Sequence, residues 1–180
     1  MFLNIITPCS RPENLQTISE SINIPRENYR WIVVFDSDKI PTEYNLPSNA
    51  EYYNVKVDES VVGHGQRNFA LDLIKEGYVY FNDDDTIIHR ELWQNIKDTD
   101  ADFISFKQAE KHGSVRLEGA EIEIGKIDSH NFIVENNIIK ETRFIIYQYA
   151  ADGFFAKECY NKSKNHFYIP KILSIYNSLR

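Results

Sequence analysis

Gly77-Tyr78-Val79-Tyr80-Phe81-Asn82-Asp83-Asp84-Asp85-Thr86 is the stretch that decides the fold. A short apolar run after a helix and a glycine predicts a buried strand, so the three carboxylates should emerge together at its carboxyl end, where open α/β sheets bind ligands. Carboxylates ~5 Å apart repel by roughly 1 kcal/mol in bulk water and by several times that at an effective dielectric near 20. A divalent cation would relieve the repulsion, and an all-oxygen ligand set favours magnesium or manganese. The competing expectation is a solvated acidic turn ahead of the helix that begins near Arg90.

Upstream, strand-like and helix-like segments alternate. Ile5-Ile6-Thr7 leads into Ser10-Arg11-Pro12-Glu13, where Ser10 and Glu13 have the spacing of a capping box and Pro12 suits a first turn. Leu15, Ile18 and Ile22 then share one helical face. Trp31-Ile32-Val33-Val34-Phe35 is apolar without alternation, as in a parallel strand covered on both sides, and ends in a second acidic cluster, Asp36-Ser37-Asp38. Pro41 to Asn49 is turn-rich, and Glu51 to Val57 suits a short strand. Gly63-His64-Gly65 precedes a helix running to about Glu76, with Gly77 as terminator.

Downstream, a helix over Glu91 to Lys97 and a strand over Asp102 to Phe106 are expected. Ser114 to Leu117, Glu121 to Ile127 and Phe132 to Val134 suggest short strands, with Asn136-Asn137 as a turn. A helix from Ala150 to about Asn161 and a strand from Phe167 to Tyr176 close the chain. The pattern predicts one α/β domain: a mostly parallel central sheet flanked by helices, with a small mixed or antiparallel C-terminal section.

Composition narrows the function. The chain has 180 residues, 42% of them apolar, enough for one sizeable core. Its 27 acidic against 20 basic residues give a net charge of −7, which argues against nucleic-acid binding through phosphate neutralisation. The start of the sequence shows neither a signal peptide nor a membrane span, and the two cysteines, Cys9 and Cys159, make a reducing, cytoplasmic setting the default, with peripheral membrane contact still open.

Arg67 stands in the first turn of the second predicted helix, where a cation opposes the macrodipole, so it should face an anion: Asp36, Asp83 or a bound phosphate. His64, beside the glycines, could also touch phosphate.

Gln66-Arg67-Asn68-Phe69-Ala70-Leu71, followed by the Gly77–Thr86 stretch and then Glu91-Leu92, resembles the donor-binding core of GT-A (Rossmann-like) glycosyltransferases. It is similar to the broad family 2 transferases and, in the Gln-Arg-Asn and Asp-Asp-Asp segments, to the β-1,3-glucuronyltransferases. The resemblance implies that residues 1–106 bind a nucleotide-sugar, commonly a UDP-sugar, through Thr7, Pro8, Arg11, Asp36 and Asp38 at the first two strand ends. The tri-aspartate would be the DxD motif, with Asp83 and Asp84 on the donor and Asp83 and Asp85 on Mn2+ or Mg2+. Residues 107–180 would form the acceptor half, for a glycan or other hydroxyl.

Asp152, in Tyr149-Ala150-Ala151-Asp152-Gly153, resembles the family's catalytic base, although Ala151 replaces the usual glutamate. An inverting transfer needs such a base to take the acceptor hydroxyl's proton. A helix N-cap is the other reading of Asp152. His166 resembles an additional metal ligand of many GT-A enzymes, and Asp128 and Asn131 resemble a segment near the acceptor.

Two other functions stand beside transfer. One is a silent nucleotide-sugar or glycan-binding module. The other follows from Phe35-Asp36-Ser37-Asp38, which is similar to the first motif of haloacid-dehalogenase-type phosphatases. Here, however, Ile40 replaces the usual threonine or valine, and the motif falls on the second strand.

Overall fold

A computed structural model describes residues 1–57 and 60–180. Its centre is a nine-stranded sheet in which β3 (Glu51–Asn54), β2 (Tyr29–Phe35), β1 (Leu3–Cys9) and β4 (Tyr78–Phe81) lie side by side and parallel. The next strand, β8 (Phe132–Glu135), reverses direction against β4. Beyond it come β6 (Phe103–Glu110), β9 (His166–Tyr176) and the two-residue β5 (Ile87–Ile88), with β7 (Val115–Leu117) folded back on β6. The expected mostly parallel sheet with a mixed C-terminal section is the one found. Pro170 lies where the β6–β9 register shifts, a position at which a missing ladder donor is tolerated.

Strand alternation divides the core between the two sheet faces. Ile5, Trp31, Val33, Tyr80 and Ile104 point to one face, against Leu15 and Ile18 of α1 (Leu15–Ser21) and Leu92, Trp93 and Ile96 of α3 (Leu92–Ile96). Ile6, Ile32, Val34, Phe81 and Phe103 point to the other, against Ala70 and Leu71 of α2 (His64–Asp72) and Phe155, Ala156 and Cys159 of α5 (Ala151–Lys162). Phe144 stacks on Phe155 at 4.3 Å between centroids, and Phe81 meets both edge-on. Such pairs add about 1 kcal/mol each beyond the area they bury. They fix the start of α5 against the end of β4.

Three local expectations give way to tertiary contacts. Ser10 caps no helix: the Pro12–Asn14 turn starts from Arg11 without a side-chain cap, and the Ser10 N–H and hydroxyl both donate to Asp84. Glu121 to Ile127 forms no strand and contributes one isolated bridge, Ile124 to Ile127. Asn136-Asn137 opens a short helix, α4 (Asn136–Ile139). Among the described residues no helix is long and apolar enough to cross a membrane.

Candidate active site

The carboxyl ends of β1 and β4 open into a cavity of about 600 Å³ lined by residues of both halves of the chain. The tri-aspartate forms one wall. Asp84 is buried and its carboxylate accepts from the Ser10 N–H at 2.6 Å, the Arg11 N–H at 2.7 Å, the Ser10 hydroxyl at 3.0 Å and the Arg11 guanidinium at 2.5 Å. It therefore stitches the loop after β1 to the loop after β4. Asp85, also buried, meets Arg11 at 3.1 Å and Arg180 at 2.6 Å. Asp83 pairs with Arg67 through one oxygen and lies 2.9 Å from His130 through the other. The carboxylate crowding is thus answered by three arginines and a histidine of the protein itself.

Arg67 reaches Asp83 because α2 begins at a glycine. Gly63 is left-handed (φ +78°), and a Cβ there would stand 2.6 Å from the Pro8 side chain, so the helix start closes onto the end of β1 only without a side chain. The Arg67 guanidinium also donates to the Val62 carbonyl at 2.6 Å. Beside it His64 is buried and lines the cavity. Burial, then the Arg67 charge, lowers its imidazole to about 4, so His64 is neutral at physiological pH.

A second wall of the lining comes from the mixed part of the sheet. Asp128 caps the turn Ser129–Asn131, accepting from the His130 N–H at 3.2 Å, while the Asn131 side chain accepts from the Asp128 N–H at 2.9 Å. Asp128 also lies 2.6 Å from the His130 ring and 2.8 Å from Arg116. Arg116 is stacked over Tyr176 at 3.9 Å. Burial alone would raise the two acids, but their cationic partners outweigh it: Asp83 is held at about 2 and Asp128 well below the carboxylate range. Burial opposes a charge on His130 too, yet Asp83 and Asp128 raise it to about 10.

Asp152 is set differently from Asp83 and Asp128. It sits in the first turn of α5, half-buried, and its recorded hydrogen bond is from the neighbouring Gly153 N–H at 2.8 Å. It is not the N-cap, a place taken by Ala150. Burial first, and the nearby Asp128 second, push its carboxyl up to about 6. A half-buried acid with its proton affinity set near neutrality is a group able to exchange a proton.

In sequence the chain matches no known family profile and no curated protein. In structure it is similar to glycosyltransferases. TarS 1–349 of S. aureus superposes with a TM-score of 0.78 at 18% identity, covering 97% of this chain and 60% of that one. The same protein in complex with UDP-GlcNAc gives 0.73 at 18% identity over 97% and 58%. Mannosyltransferase PcManGT from Pyrobaculum calidifontis, in complex with GDP-Man and Mn2+, gives 0.68 at 11% identity over 97% and 56%. The fold is GT-A-like. The chain spans about 60% of the length of TarS 1–349.

Of the residues expected from sequence, Pro8, Arg11, Asp36, His64, Arg67, Asp83, Asp84, Asp85 and Asp152 line the cavity. Thr7 does not: it is fully buried and its hydroxyl accepts from the Trp31 indole at 2.9 Å. Asp38 is exposed outside the cavity lining, which leaves Asp36 without the partner that a phosphatase arrangement requires. His166 is also elsewhere. Its register partners, Phe103, Val134 and Val79 in turn, place it three strands from β4 and four residues short of Asp83. That separation is ~14 Å across and ~13 Å along the sheet. Its ring contacts the Ser105 hydroxyl at 2.9 Å, and burial lowers its proton affinity.

Sequence reading missed His130, Arg116 and Arg180. Asp128-Ser129-His130-Asn131 did carry one signal, the side-chain cap spacing that brings His130 back over Asp128.

Proposed function

We propose that the protein is an inverting, metal-dependent glycosyltransferase that moves a sugar from a nucleoside diphosphate donor, best fitted by a UDP-sugar, to a glycan or other hydroxyl acceptor. Residues 1–106 are the donor half and residues 107–180 the acceptor half. The observation that carries the reading is that Asp152 lines the same cavity as the cation-paired tri-aspartate, on a GT-A-like fold. The mixed sheet brings both walls together, and Asp152 has a proton affinity suited to a base, whereas Asp83 and Asp128 are held low.

The acceptor hydroxyl gives its proton to Asp152 as its oxygen bonds to the anomeric carbon, and the bond from that carbon to the diphosphate breaks on the opposite face. Arg11, Arg67 and Arg180 line the wall where the diphosphate's negative charge would grow. Among the described residues no three potential ligands cluster for a metal. That suits an ion bound by one or two carboxylates and completed by substrate phosphates. Asp85 is the residue to hold it, because its partner Arg180 is 54% exposed at the side chain and free to swing aside, whereas both oxygens of Asp83 face buried cations. When bound, Mn2+ or Mg2+ would neutralise charge on the departing diphosphate.

Titration with UDP, with and without Mn2+, followed by a UDP-sugar turnover assay, tests the reading. Metal-dependent UDP binding and slow donor hydrolysis or transfer are expected, and Asp85→Ala should lose the metal-dependent part. No metal-dependent binding would sink the transferase; binding without any turnover would leave a silent nucleotide-sugar module.

A further inference from the structure

His130 is buried to 3% side-chain exposure, and each ring nitrogen lies against a carboxylate from a different wall: Nε2 at 2.9 Å from Asp83 and Nδ1 at 2.6 Å from Asp128. Neither ring N–H points squarely at its oxygen, so the contacts act chiefly as charge against charge. Arg67 closes one end of the series and Arg116 the other, so five alternating charges run from α2 to β7 along the cavity lining. The turn is held from other sides as well. The Tyr80 hydroxyl donates to the His130 carbonyl at 3.2 Å, and the Tyr176 ring lies 6.0 Å from the imidazole.

Stability is a poor explanation for such a series. Desolvating buried ions offsets most of their mutual attraction, and well-packed apolar side chains of similar volume often do as well or better. Position is a better one. Asp83 stands at the end of β4 and Asp128 at the head of the turn before β8, and His130 spans the two. Each of its nitrogens lies within an ion-pair distance of a carboxylate of the protein itself. The charged groups near Asp152, which makes no ion pair among the described residues, include three members of the series: Asp128 favours its protonated form, and Arg67 and His130 favour its ionised form.

We propose that His130 is a positioning residue that locks the tri-aspartate wall to the wall carrying Asp128, and sets the charge balance under which Asp152 takes its proton. The role as a base rests on the transferase reading; the lock and the charge balance do not.

The test follows the Asp152 carboxyl directly by carbon-13 NMR across pH, with Asp152→Asn assigning the resonance. In His130→Gln the Asp152 midpoint should rise by roughly half a pH unit or more, because a positive neighbour is lost. In Asp128→Asn it should fall, because a negative neighbour is lost. A purely structural role predicts no such opposition. Midpoints that stay put, or that move the same way in both folded variants, overturn the proposal. If His130→Gln does not fold, Asp128→Asn decides alone, and the absence of a fall overturns it. With a UDP-sugar donor, His130→Gln should lower turnover ~10–100-fold, as loss of a residue supporting a site typically does, with UDP affinity within ~3-fold. A wild-type protein without turnover would refute the transferase while the NMR midpoints still decided the role of His130.

Discussion

The two walls of the cavity hold the same functional group in opposite electrostatic settings. On the tri-aspartate wall Asp83, Asp84 and Asp85 meet arginines, a histidine and backbone N–H groups, and Asp83 is held at about 2. On the second wall Asp152 has burial and Asp128 against it and is pushed up to about 6. Equal chemistry has been given unequal proton affinity, and that inequality separates a carboxylate that stays charged from one that can accept a proton and release it. Clustering of acids in the sequence is therefore a weaker guide than what packs against them. Asp36-Ser37-Asp38 is also an acidic strand end, yet Asp36 and Asp38 are exposed and, among the described residues, neither forms an ion pair.

The largest effect should come from removing the proton acceptor. Asp152→Asn is expected to lower transfer by ~10²–10⁴-fold, the usual contribution of a positioned general base, with UDP affinity changed by less than about 2-fold. Steady-state rates and a UDP titration on one preparation check both halves. Retained turnover would erase the functional difference between the walls.

Next in size is the loop stitch. Asp84→Ala removes the acceptor for Ser10 and Arg11 and should destabilise the fold by about 3 kcal/mol, lowering Tm by roughly 6–12 °C. Asp36→Ala should change Tm by less than about 2 °C, since exposed substitutions stay within ~0.5 kcal/mol. Thermal melts of the two variants compare the two acidic strand ends. Equal losses would show that burial and pairing do not distinguish them.

pH sharpens the contrast because the two walls titrate with opposite sign. The raised Asp152 contributes stability that is fully present below its ordinary value of 3.8 and is lost as pH rises through about 6. Asp152→Asn should thus be more stable than the wild type at pH 8 and lose that advantage below pH 4. The depressed Asp83 contributes stability present above 3.8 and lost as pH falls through about 2. Melting curves from pH 3 to pH 8 on both proteins measure this. An Asp152→Asn advantage that grew towards acid would contradict the assignment.

The smallest effect on donor binding is expected at His166. Its replacement by alanine loses the Ser105 contact, about 1 kcal/mol, together with edge-on packing against Phe103 and Tyr160, and should leave metal-dependent UDP binding unchanged. A loss of that binding would restore His166 to the site and require a different strand order.

Much of this was legible in the sequence where local pattern and tertiary setting agree. The apolar runs at Trp31–Phe35 and Tyr78–Phe81 are strands, Gly63 starts α2, although the helix ends at Asp72 rather than at Gly77, and the tri-aspartate does open a cavity. Legibility failed where a residue's partner lies far along the chain. Ser10 has the spacing of a helix cap, but Asp84 competes for its hydroxyl from 74 residues away. His166 looked near the site because it follows Asp152 closely, yet the start of β9 pairs with the start of β6, on the far edge of the sheet. Only the end of that strand returns, bringing Tyr176 and Arg180 to the cavity. His130 was hidden for the same reason, since its pairing with Asp83 depends on β8 lying beside β4.

The central claim is that one wall holds the donor and the other moves the proton. Titrating UDP with Mn2+ into Asp85→Ala and Asp152→Asn, alongside sugar transfer by each, tests it most directly. The account predicts that Asp85→Ala loses metal-dependent binding, and that Asp152→Asn binds as the wild type does but transfers ~10²–10⁴-fold more slowly. Asp152→Asn failing to bind, or Asp85→Ala binding normally, would contradict it.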